Sequence, residues 1–81
     1  MMTGAVEDGV MSTEDRLIYM ANQIARNLEA LGPEHSVQMV ADHIRDFWDP
    51  SMKRRIVALA SSRPEALSPI ASAAVGRIAP T

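Results

Sequence analysis

The residues of this 81-residue chain best suited to chemistry crowd into one stretch, Val40-Ala41-Asp42-His43-Ile44-Arg45-Asp46-Phe47-Trp48-Asp49-Pro50-Ser51-Met52. His43 with Asp42, Asp46 and Asp49 has the donor types of a divalent-cation site, and imidazole beside carboxylate is also part of a hydrolytic triad. Helical spacing argues against both. Asp42 and Asp46 fall one turn apart, whereas His43 points about 100° away from Asp42. His35 is the other imidazole, eight residues from His43, so the two do not form the i, i+4 pair of a helical zinc site. A triad needs a rigid scaffold and an oxyanion site, which a small helical chain hardly supplies. The chain also lacks G-x-G-x-x-G, G-K-[ST] and H-E-x-x-H motifs. The expectation is a protein without catalytic residues that binds no metal or cofactor of its own.

Recognition suits the same residues better. Phe47 and Trp48 are adjacent, and neighbours on a helix diverge by about 100°, so both rings cannot point to the centre of one small fold. One packs inside and the other lies near an edge, where aromatic anchors serve partners. Trp48 is the expected contact. Asn22 and Gln23 offer hydrogen bonds to a partner's backbone, against the plainer reading of solvated polar residues. Lys53, Arg54 and Arg55 read as a solvated basic face, with Arg55 able to pair with carboxylates across an interface.

Composition bears on what such residues can belong to. A single domain of this length buries only about 60% of the surface its unfolded chain exposes. Small folds compensate with disulfides, metals or a partner, and a chain without cysteine has neither disulfides nor thiolate metal sites. A partner is the remaining option. The chain is 47% hydrophobic but only 4% aromatic, which favours helices over strands. A net charge of −2 gives no general attraction to nucleic acid or to an anionic membrane. No apolar run approaches the roughly 20 residues of a membrane span, and the amino terminus, with Glu7 and Asp8, lacks the basic and apolar regions of a signal peptide. A cytoplasmic location is expected.

The elements that carry these residues follow from caps and periodicity. Residues 1–11 show no period and read as a disordered lead, within which Met11 is an alternative start. Ser12 is an N-cap, with Glu14 and Asp15 complementing the helix dipole. Leu17, Met20, Ala21, Ile24, Ala25, Leu28 and Leu31 then form a helical stripe that Gly32 and Pro33 end. Val37, Val40, Ala41, Ile44, Phe47 and Trp48 repeat the spacing in a second helix. Asp49-Pro50 caps and starts a third, with Met52, Ile56, Leu59 and Ala60 along its apolar edge. Ser61-Ser62-Arg63-Pro64 reads as a break, and Ser68-Pro69 opens a short fourth helix through Ile70, Ala73, Ala74 and Ile78. Gly76 and the alanine-rich face weaken it, so it is expected to order on binding. The predicted architecture is all-α: a hairpin of two main amphipathic helices plus one or two short C-terminal helices, with a core in residues 12–62 and residues 63–81 as a short helix or extended arm.

The A-D-H-I-R-D-F-W-D-P-x-M-K block at Ala41 to Lys53, together with M-A-N-Q-I-A at Met20 to Ala25, resembles the delta subunit of the multisubunit, molybdenum- or tungsten-dependent, NAD-linked formate dehydrogenases. The likeness spans about Leu17 to Ile56 and rests on Met20, Asn22, Gln23, Asp42, His43, Arg45, Phe47, Trp48, Asp49, Pro50 and Met52. It implies a small, cofactor-free helical subunit that accompanies an alpha subunit carrying bis-molybdopterin guanine dinucleotide. The beta and gamma subunits would carry iron–sulfur clusters, FMN and the NAD site. The implied reaction of the whole is formate plus NAD to carbon dioxide plus NADH, with the delta chain supporting assembly, stability or activity. The residues expected to meet the partner are Asn22, Gln23, His43, Arg45, Phe47, Trp48, Asp49, Pro50, Met52 and Arg55. Two alternatives use the same small helical surface: a transient maturation factor for cofactor insertion, and a self-associating helical module unrelated to formate.

Overall fold

Three side-chain caps set the starts of three of the four α-helices in the computed structural model, which describes residues 12–79. The Ser12 hydroxyl accepts the Asp15 amide at 3.0 Å and opens α1, Thr13–Leu28. The Asp49 carboxylate accepts the Met52 amide at 2.9 Å and opens α3, Pro50–Ser62. Ser68 accepts the Ala71 amide at 3.2 Å and opens α4, Pro69–Ile78. Each oxygen satisfies an amide that has no partner within its helix. Pro50 and Pro69 occupy first-turn positions, where a missing N–H costs nothing.

Helix α2, Pro33–Phe47, starts differently. Its N-cap is Gly32, at φ 95° and ψ 155°, a region open essentially to glycine alone. A 3₁₀ turn, Glu29–Leu31, leads into it from α1. Ser36 is fully buried and donates its hydroxyl to the Gly32 carbonyl, so this interior polar group is satisfied one turn back along its own helix. A second 3₁₀ turn, Pro64–Ala66, joins α3 to α4. The described residues form helices and turns with no strand, the all-α class expected from composition. The expected lead over residues 1–11 lies outside the described residues.

One buried cluster unites all four helices: Leu17, Ile18, Ala21 and Ala25 from α1; Val37, Val40, Ala41 and Ile44 from α2; Trp48; Ile56 and Leu59 from α3; Leu67; and Ala71, Ala74 and Val75 from α4. Helix α4 packs most extensively against α2 and touches α1 and α3 as well. The stretch 63–81, set apart from a 12–62 core in the sequence reading, therefore supplies residues to that same core. Its buried face is Ala71, Ala74 and Val75, while Ala73, expected inside, is exposed. Small alanine side chains let the α4 backbone come close to its neighbours, so the short helix is held by proximity more than by bulk.

Polar contacts tie the ends together. Asn22 on α1 donates its amide to the Ala66 carbonyl and accepts the Ser68 amide, both at 2.9 Å. Arg63 at the end of α3 pairs with Asp15 at the start of α1 at 3.2 Å. Lys53 donates to the Arg45 carbonyl at 2.8 Å, and Arg77 of α4 donates to Gln38 of α2 at 2.7 Å. The Asn22 bonds matter most, because they are half-buried and span more than forty residues, whereas exposed ion pairs contribute little.

Candidate partner-docking surface

The outward ridge of α2 is built by residues four apart, Met39, His43 and Phe47, which stack along one side of the helix. Phe47 is 76% exposed, the most open large apolar residue described, and Met39 is exposed two turns back on the same ridge. The His43 and Phe47 rings lie with centroids 5.0 Å apart at a 38° tilt, so the imidazole braces one side of the phenyl ring. Leu28, at the end of α1, lines a shallow groove of about 280 Å³ together with these residues and with Asp42 and Asp46. The Asp42 carboxylate is engaged by Gln38 and Arg45, each at 2.9 Å. Among the described residues the Asp46 carboxylate has neither an ion-pair nor a hydrogen-bond partner, although it is exposed at the same rim.

Trp48 is the opposite of its neighbour. It is 5% exposed and belongs to the buried cluster, which corrects the expectation that the indole is the partner contact. The reason is local. Trp48 stands four residues beyond Ile44, in line with the core stripe, whereas Phe47 falls about 100° to its side, and Trp48 is also the C-cap of α2, with extended backbone at φ −86° and ψ 139°. Its amide still donates to the Ile44 carbonyl at 3.0 Å. The side chain turns under the helix end, extending the Val37, Val40, Ala41, Ile44 stripe into the core. One ring is inside and one outside, as expected, but with the assignments exchanged.

The other residues named from sequence divide by location. Asn22 spends both ends of its amide on its own chain, so the backbone it recognises is that of the α3–α4 connection, not a partner's. Asp49 and Pro50 form the α3 start, and Met52 packs against the core. These four, with Trp48, shape the fold. His43, Arg45 and Phe47 are exposed on α2. Gln23 lines a larger open groove of about 620 Å³ between α1 and the start of α4, beside Arg26, Glu29 and Pro69. Arg55 is exposed on α3. Met39 and Asp46 complete the α2 surface, yet sequence reasoning passed over both as partner contacts. The signal available for them was the 39, 43, 47 spacing, which runs beside the core stripe.

Among the described residues no group of three or more His, Cys, Asp or Glu residues is arranged to hold a metal ion, and no described helix is long and apolar enough to cross a membrane. No curated protein and no solved structure matches the chain. A family model described as the NADH-dependent formate dehydrogenase delta subunit FdsD matches residues 16–75, a span that takes in most of α1, all of α2 and α3, and most of α4. The chain belongs to the delta-subunit family of NADH-dependent formate dehydrogenases.

Proposed function

We propose that this chain is a non-catalytic accessory subunit that binds the large, molybdopterin-bearing alpha subunit of a cytoplasmic formate dehydrogenase and supports its assembly, stability or activity. The observation that carries the reading beyond family membership is the exposure of Phe47 at 76%. A small domain with little apolar area to spare gains from covering such a ring, and aromatic residues dominate the energetics of protein interfaces.

The placement of the titratable groups supports a binding role. Both imidazoles, His35 and His43, sit on exposed helix surface, where water screens charge and no wall encloses a reacting molecule. The alpha, beta and gamma chains would then hold the bis-molybdopterin cofactor with molybdenum or tungsten, the iron–sulfur clusters, FMN and NAD, and this chain would act through contact alone.

Purification of the tagged chain from cells that make the whole enzyme tests this. Near-equal amounts of this chain and the large subunit in active enzyme are expected, with formate oxidation falling when the chain is deleted. Recovery free of the large subunit, with formate oxidation unchanged by deletion, would contradict it. Association confined to cofactor-free enzyme would identify a maturation factor instead of a resident subunit.

A further inference from the structure

We infer that the groove between Phe47 and the end of α1 is the docking site for an amphipathic helix of a protein partner, one whose apolar ridge carries an arginine or lysine. The inference rests on the subunit reading above and adds the face used and the chemistry of what it meets.

Size points to a protein. A groove of about 280 Å³ that lies open to solvent does not enclose a ligand as ordinary small-molecule sites do. It suits a few side chains from a helix laid across α2, with Phe47, Met39 and Leu28 as the apolar contacts. Charge then selects the partner. Two carboxylates one helical turn apart line the groove. Arg45 and Gln38 occupy Asp42, which leaves Asp46 as the acceptor for an incoming cation. A guanidinium is the best match, because it bonds a carboxylate through two parallel N–H groups while its flat face rests on an aromatic ring.

The same carboxylates argue against a second copy of this chain. A two-fold dimer with its axis at Phe47, the arrangement that would cover both exposed rings against each other, would also set each Asp46 near its symmetry mate. Like charges brought together in a partly dry interface disfavour that pairing, whereas a basic partner relieves it.

The test compares variants of the tagged chain in cells making the whole enzyme, reading the amount of large subunit retained. Phe47→Ser and Asp46→Lys are each expected to lower retention at least tenfold. Tyr19→Ser is the control: Tyr19 is also well exposed at 55%, but nine helical residues place it about 180° around α1 from Leu28. It is expected to retain the large subunit as the parent chain does. Helix content and melting temperature of the purified variants check that folding is intact.

Full retention by both Phe47→Ser and Asp46→Lys, with the parent chain also retained, would overturn the groove and leave the subunit reading standing. Failure of the parent chain itself to retain the large subunit would overturn both. Concentration-dependent self-association of the isolated chain that Phe47→Ser abolishes would identify the occupant as a second copy and overturn the basic partner.

Discussion

Phe47 and Trp48 are consecutive residues on opposite sides of the surface, the phenyl ring 76% exposed and the indole 5% exposed. Trp48 continues the α2 core stripe four residues beyond Ile44 while Phe47 falls to its side, so one aromatic completes the core while the other is offered outward. Their substitutions should therefore separate stability from binding.

Trp48→Ala should cost about 3–5 kcal/mol, as truncation of a buried aromatic does. For a domain of this size each kcal/mol lowers the melting temperature by roughly 4–8 °C, so thermal unfolding followed by circular dichroism should show a large fall. Phe47→Ala should change stability by no more than about 0.5 kcal/mol. Equal losses from the two would mean that the rings share one environment.

Asn22→Ala should destabilise the fold by about 1–3 kcal/mol, because the half-buried Ala66 carbonyl and Ser68 amide lose their partner. Hydrogen exchange should localise the effect to the 3₁₀ turn at Pro64–Ala66 and the first turn of α4. Exchange there matching that of the parent chain would contradict a clamping role.

Gly32→Ala should cost about 1–3 kcal/mol through backbone conformation alone, since an added Cβ would meet nothing within 4 Å while φ is 95°. Urea unfolding with an unchanged m-value measures this cleanly. A neutral result would mean that the connection between α1 and α2 readily adopts another turn.

Ala74→Leu should destabilise by about 1–3 kcal/mol, the usual cost of forcing extra carbons into a filled interior, because Ala74 is fully buried in the cluster that unites the four helices. A well-tolerated leucine would indicate that α4 lies loosely on α2, as the sequence reading expected of a segment that orders only on binding.

The parts of the fold legible in the sequence were those with local causes. Ser12, Asp49 and Ser68 announce their helices because a cap is a contact three residues long. The α1 and α2 stripes stand out because leucine, isoleucine and valine contrast with the charged residues between them. Ile70, Ala74 and Ile78 of the expected α4 face do meet the core, but Ala73 is exposed and Ala71 is buried, because alanine occurs on both sides of that helix and leaves little contrast to follow. Asn22 gave no sign of its role, since its partners lie 44 and 46 residues away. Trp48 falls four residues beyond Ile44, in line with the core stripe, so the spacing itself points the indole inward, and choosing it as the outward ring overlooks that register.

The docking surface was half legible. His43, Arg45 and Phe47 were singled out and do share the exposed side of α2, but Asp46 as the unengaged carboxylate emerges only once the contacts of Asp42 are known.

Site-specific photocrosslinking within the assembled enzyme tests the central claim most directly. A photoreactive phenylalanine analogue placed at position 47 should join this chain to the large formate dehydrogenase subunit, and the same analogue at position 19 should not. Crosslinking from position 19 with none from position 47 would show that another face makes the contact and that the exposed phenyl ring is not its anchor.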